Sequence, residues 1–338
     1  MREIVIVIAD LYLPPDAAEA ASAAGGFPGI PGIEYAGRFG ERTQFAGGWR
    51  EWLAGSLGRA DLAGVAPACV AAAAADPAPA ARGNVTTWIA TAVALSAGLT
   101  RVHLDHRGIL RLSHAEQTLL AADFSRVFGT SGYELVPLKC GDFLLATPGI
   151  AAVAITEPAR CAGGDVAQAL PQGTAAGPLR RLLSEIEMWL HGQALNDARR
   201  ARGVPPVTAL WLWGAAGRAA QPEVRPAREV QLAFGCDPYL DGLWHLQGST
   251  CRALPQDLAA ALSCGEAQRV VLVMEAGGEL QGGLQGIDTR FVSPALRALR
   301  GGELTRVTLM VNDTRVSVRR ASGLRLWRRP RAGLGAFA

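Results

Sequence analysis

The chain of 338 residues contains one lysine, Lys139, five histidines, six cysteines and only 6% aromatic residues. Each shortage excludes a chemistry. A P-loop needs Gly-Lys-Ser/Thr, a pyridoxal enzyme needs a Schiff-base lysine and a protein kinase needs a strand lysine on its nucleotide; Lys139 stands in none of these contexts. The cysteines Cys69, Cys140, Cys161, Cys236, Cys251 and Cys264 are scattered, with no CxxC and no Cys/His zinc spacing, and are expected as reduced core residues. No Gly-x-Ser-x-Gly elbow follows a strand. The apolar stretch Ala66 to Ala75 is short and interrupted by proline, and the amino terminus opens on a strand without a signal-peptide pattern. A cytoplasmic protein without a membrane partner is the expectation.

The remaining composition is that of a globular chain: 49% hydrophobic, 19% charged, mean hydropathy +0.17. A net charge of +3 is too weak to argue for nucleic acid. It is also unevenly placed, since Arg315 to Arg331 holds seven arginines and no acid, and subtracting those seven from +3 leaves −4 for the rest. Arg315-Val-Ser-Val-Arg319 alternates like a strand with one solvated face, and Trp327 sits among bases where it could stack on a nucleobase or lie over the core. The solvated edge is the preferred reading.

Ile4-Val-Ile-Val-Ile-Ala9 is an unbroken β-branched run, the pattern of a strand covered on both faces by helices. Similar runs at Ala209 to Trp213, Val230 to Phe234, Arg269 to Met274 and Arg306 to Val311 predict an α/β core. The middle differs. Arg101 to Leu104 and Ile109 to Leu112 read as a hairpin turning at Asp105-His-Arg-Gly108, and Tyr133 to Leu138 with Asp142 to Ala146 as a second one. Ser113 and Glu116 have capping-box spacing before a helical pattern; Pro178 opens another helix, and Asn196 to Gly203 reads as a short helix with Asn196 as N-cap and Gly203 as C′ residue. The expected organisation is a discontinuous α/β core domain of residues 1–80 and 205–338 around an inserted α+β domain of residues 81–204.

Several residues could carry chemistry. His103, Asp105 and His106 are the densest group of possible metal ligands, although a solvated turn accounts for them. His114 falls inside the capping box, and His245 is expected as a core histidine. Asp10 ends the first strand, where open α/β sheets collect ligands, and could hold a metal or accept backbone N–H groups. Trp211-Leu-Trp-Gly214-Ala-Ala-Gly217-Arg218 ends another run in a glycine loop that could cradle an anion.

The stretch from Leu183 through Gln193-Ala-Leu-Asn196, Arg199, Arg202 and Gly203-Val-Pro-Pro206-Val-Thr208 to Gly214 resembles a bacterial family of phosphoglycerate-mutase-related or regulatory proteins. That family is similar in turn to the archaeal-type cofactor-independent phosphoglycerate mutases of the alkaline phosphatase superfamily. Weaker similarity runs through Leu99 to Leu145 and Ala233 to Gly248. The resemblance implies an alkaline-phosphatase-like core sheet flanked by helices, with an inserted domain, and a small phosphorylated ligand. The departures are specific. Gln193-Ala-Leu-Asn196 stands for His-Pro-Val-Asn, Thr208 for the Asn after Pro-Pro, and Gly141-Asp142 for Arg-His; Asp10 precedes Leu11 instead of Gly. Met274 to Leu280 holds no histidine, and Val311-Asn-Asp-Thr314 replaces Asp-His.

Two-metal phosphoryl transfer needs roughly five to seven converging carboxylate and imidazole ligands. The resemblance therefore implies a scaffold whose mutase reaction is lost, with no cofactor, and with Asn196, Arg199, Arg202, Gly214, Gly217 and Arg218 as anion contacts. Asp10 would be its vestigial metal ligand. A rival enzyme reading gathers Asp10, Asp237, Asp241 and Glu275 into a rearranged Mn²⁺ or Mg²⁺ site for phosphoester chemistry. A regulatory reading makes Arg315 to Arg331 or exposed tryptophans the contact for a protein partner.

Overall fold

A computed structural model describes residues 2–9, 11, 29–75, 85–98, 101–167, 169–217, 222–227, 229–275 and 280–324. Among them the strands are β1 (Glu3–Ala9), β2 (Glu41–Gln44), β3 (Val85–Ala97), β4 (Val102–Ile109), β5 (Glu134–Pro137), β6 (Phe143–Pro148), β7 (Gly164–Asp165), β8 (Ala209–Ala216), β9 (Gln231–Gly235), β10 (Arg269–Glu275), β11 (Arg306–Val311) and β12 (Thr314–Arg319). They form two six-stranded sheets in two compact units, Met1–Gly64 with Arg225–Cys236 and Gln247–Ala338, and Val65–Val224 with Asp237–Leu246. The class is α/β, with helices flanking the sheets.

In the first unit the sheet order is β2-β12-β11-β1-β10-β9. The β-branched run of β1 lies between β10 and β11, parallel to both, while β12 and β2 close one edge antiparallel. Ile4, Ile6 and Ile8 share one face with Leu272 and Leu309 and pack on the helices Pro31–Phe39, Leu280–Ile287 and Ser293–Gly301. Burial of each such isoleucine contributes about 2 kcal/mol before entropy is counted. Helix Pro31–Phe39 has no side-chain cap of its own; Asp288 reaches it from a π-helical turn and accepts from Gly32 N (3.2 Å) and Ile33 N (2.7 Å).

The second unit is an antiparallel sheet, β5-β6-β3-β4-β7, with β8 also on β3. Helices His114–Phe128 and Gly177–His191 cover one face through Phe124, Leu182 and Ile186; Ala68, Cys69, Ile89 and Trp213 fill the other. The capping box forms as expected: Ser113 Oγ accepts from Glu116 N while Glu116 Oε2 accepts from Ser113 N. The Lys139 hairpin joins β5 to β6 as expected.

Three expectations are corrected. The run Ala209 to Trp213 is not a parallel core strand: β8 pairs antiparallel with β3, and its two faces enter the two cores of this unit, so burial on both sides imitated a parallel strand. By compactness the unit comprises Val65–Val224 with Asp237–Leu246. Asp105-His-Arg-Gly108 does not reverse the chain. Both flanks stay paired with β3, whose register jumps from Val93↔Ile109 to Leu95↔Leu104, and the turn residues bulge from β4 with Arg107 N donating to Asp105 Oδ1 at 2.8 Å. His245 is exposed rather than in the core, as are Cys236 and Cys264.

Candidate functional site

Asp10, which follows β1 in the chain, lies outside the described residues. Its neighbour Leu11 is held by Asn312: Leu11 N donates to Asn312 Oδ1 at 2.9 Å, and Asn312 Nδ2 donates to Leu11 O at 2.6 Å. The amide supplies the acceptor from its oxygen and the donor from its nitrogen, so one side chain satisfies both backbone groups of Leu11. Asn312 also takes φ 50°, a region that asparagine tolerates better than most residues. Here, where the resembled motif has Asp-His, the chain closes one backbone segment on another. Glu275 ends β10 exposed.

The second unit gathers most of the other candidates. Helix Ala194–Ala201 starts after Gln193, so Asn196 is not its N-cap as expected but sits inside its first turn; Gly203 does adopt the positive φ of a C′ residue. The buried Asn196 side chain donates to Leu190 O (2.8 Å) and Val207 O (2.9 Å) and accepts from Val207 N (2.7 Å), tying three segments together. Arg199 Nη1 and Arg202 Nη2 both donate to Glu116 Oε1 at 2.8 Å, and Arg199 Nε donates to Pro205 O at 2.7 Å. Burial would raise the Glu116 carboxyl. The Ser113 N–H, the Arg202 and Arg199 guanidiniums and the Ser113 hydroxyl outweigh it and hold the carboxyl at about 2, from an ordinary 4.5.

The substituted motif positions are engaged in the same way. Gln193 Nε2 donates to Asp123 Oδ2 at 2.8 Å, beside the Trp189 indole on the same oxygen at 2.8 Å. Thr208 Oγ1 accepts from Leu95 N at 2.7 Å and donates to Val93 O at 3.2 Å. Asp142 is buried against Arg111 Nη1 at 2.9 Å. No sequence signal marked Glu116 as the hub, because its partners follow 83 and 86 residues later.

Gly214 is explained by the strand. Between Ile89↔Trp213 and Thr87↔Ala216 the β8 side carries one extra residue, and Gly214 takes φ 62° there, as a β-bulge requires. The expected glycine loop is thus strand as far as Ala216; Gly217 follows it exposed, and Arg218 lies outside the described residues.

A divalent-cation site needs ionised carboxylates free to turn their oxygens on one point. Asp237 Oδ1 accepts from Leu240 N at 3.0 Å as the N-cap of helix Pro238–His245. Asp241, one turn on, faces the Lys139 ammonium at 3.6 Å, and burial pushes its carboxyl above the usual range despite that cation. These two do not fit a metal. His103 and Asp105 are exposed on β4, and the side chain of His106 lies outside the described residues. Among the described residues no three His, Cys, Asp or Glu side chains converge, and no helix is long and apolar enough to cross a membrane.

No protein-family model matches the chain, and no curated protein does. Among solved structures it is similar to a cofactor-independent phosphoglycerate mutase from Thermoplasma acidophilum DSM 1728, at 14% identity over 94% of this chain and 90% of that one with a TM-score of 0.43. It is also similar to the PH0037 protein from Pyrococcus horikoshii, at 11% identity over 94% of this chain and 87% of that one with a TM-score of 0.47.

Proposed function

We propose that the chain is a divergent, non-catalytic relative of the cofactor-independent phosphoglycerate mutases, an alkaline-phosphatase-like scaffold that binds a small phosphorylated ligand in a regulatory role in the cytoplasm. The observation that carries this reading is the fate of the resembled motif. Gln193, Asn196, Arg199, Arg202, Thr208, Asp142 and Asn312 all make hydrogen bonds within the protein that fix its own backbone or its own charges. Side chains held in this way are aimed at the protein's own groups and not preorganised toward a transferring phosphoryl group, whose stabilisation needs charge directed at the reacting atoms. Loss of that charge from several positions at once removes the reaction rather than slowing it.

A thermal-shift series with Mn²⁺, Mg²⁺ and Zn²⁺, with and without 3-phosphoglycerate, tests this, because a ligand that binds only the native state raises its melting temperature. Stabilisation by 3-phosphoglycerate that is indifferent to metal, with no turnover to 2-phosphoglycerate, is expected. A metal-dependent shift abolished by Asp10→Ala, accompanied by turnover or phosphate release, would instead establish the metal-dependent phosphoester enzyme.

A further inference from the structure

The second face of the first unit's sheet is not apolar at its amino-terminal edge. The registers place Arg269, Glu3, Arg306 and Arg319 side by side across β10, β1, β11 and β12. One carboxylate serves two of these arginines: Glu3 Oε1 meets Arg306 Nη1 at 3.1 Å and Glu3 Oε2 meets Arg269 Nη2 at 3.3 Å. Arg319 is left directly opposite Arg306, a like-charge pair that weakens a sheet unless something compensates it. In the next row Thr308 faces Ser317, and one step further Arg315 joins the same face, donating to Thr43 Oγ1 at 3.0 Å.

These side chains floor a cavity of about 760 Å³ walled by Phe45 and Trp52, a volume typical of small-molecule sites. Thr308 is 5% exposed, and neither its hydroxyl nor that of Ser317 hydrogen-bonds within the described residues. The Nε atoms of Arg306 and Arg315 are buried without an acceptor. Arg315 stacks over Phe45 at 5.3 Å, with Trp52 6.3 Å from the same ring. Glu41 and Glu51 also line the cavity, both exposed at its rim. A cluster of guanidiniums with unused donors, a pair of idle hydroxyls and an aromatic wall have the chemistry to recognise an oxyanion attached to an apolar body.

We propose that this cavity is a binding site for an organic phosphate monoester, the phosphate lying between Arg306, Arg315 and Arg319 on the Thr308 and Ser317 hydroxyls, and the organic group against Trp52 and Phe45. The site lies on the sheet face that carries Arg306, Thr308, Ser317 and Arg319, and it does not depend on the descent proposed above.

Titration calorimetry of the full chain with phenyl phosphate, benzoate and inorganic phosphate tests it. Phenyl phosphate is expected to bind at least tenfold more tightly than either of the others, and Arg319→Gln, Thr308→Val and Trp52→Ala to weaken it about tenfold each. Arg319 is exposed and its side chain makes no hydrogen bond or ion pair among the described residues, so its variant should not fall below the parent melting temperature. Absence of phenyl phosphate binding, or binding that Arg319→Gln and Thr308→Val leave unchanged in folded protein, would overturn the proposal. A 3-phosphoglycerate shift that persists in Arg319→Gln would belong to the descent reading alone.

Discussion

Glu116 gathers two guanidiniums and a helix cap on one carboxylate. Its carboxylate takes hydrogen bonds from Ser113, Arg199 and Arg202 while largely buried, and its pKa falls from 4.5 to about 2 on folding. A carboxyl lowered on folding stabilises the native state above its unfolded value and loses that contribution as pH falls toward the folded value. The drop corresponds to about 3 kcal/mol at neutral pH. Urea unfolding at stepped pH should therefore show stability declining between about 4.5 and 2, and Glu116→Gln should remove about 3 kcal/mol at pH 7 and flatten that decline. An unchanged acid slope in the variant would assign it to other carboxylates. Asn312 offers a second test. Asn312→Asp retains the acceptor for Leu11 N and the tolerance for φ 50°, yet loses the donor to Leu11 O, so a loss of about 2 kcal/mol is expected in denaturant titrations.

Helix Pro238–His245 shows how an element can depend on one missing methyl group. A Cβ on Gly242 would lie 1.9 Å from Val70 O, the backbone of helix Pro67–Ala72, so the close approach of the two helices requires glycine. Gly242→Ala should lower the unfolding free energy by about 3 kcal/mol, read by thermal denaturation, since backbone cannot rotate aside as a side chain can. Capping divides into two kinds at this scale. Ser113 and Glu116 are three residues apart, and that cap was legible in the sequence. Asp288 caps a helix more than 250 residues earlier in the chain, which no local pattern announces.

At the level of the molecule, the first unit has its own core around Ile6, Leu272 and Phe291 and the second has two, around Phe124 and Ile186 and around Ile89 and Trp213, and we propose that the units are domains that unfold separately. Phe291→Ala, at a cost of about 4 kcal/mol, should lower one calorimetric transition and leave the other in place. A single transition shifted as a whole would refute separate unfolding.

The sequence alone specified β1, β9, β10 and β11 as strands, because short apolar runs report a buried segment, though at β8 the same signal concealed an antiparallel partner. It determined the capping box and the Lys139 hairpin as well, since both are closed by residues only a few positions apart. Tertiary structure alone decided that β8 joins the antiparallel sheet, that Arg199 and Arg202 clasp Glu116, and that Arg269, Arg306 and Arg319 meet around Glu3. Burial is a property of one segment and leaves its mark there. Pairing belongs to two segments far apart, and only the folded chain brings them within the few ångströms over which a hydrogen bond or ion pair acts.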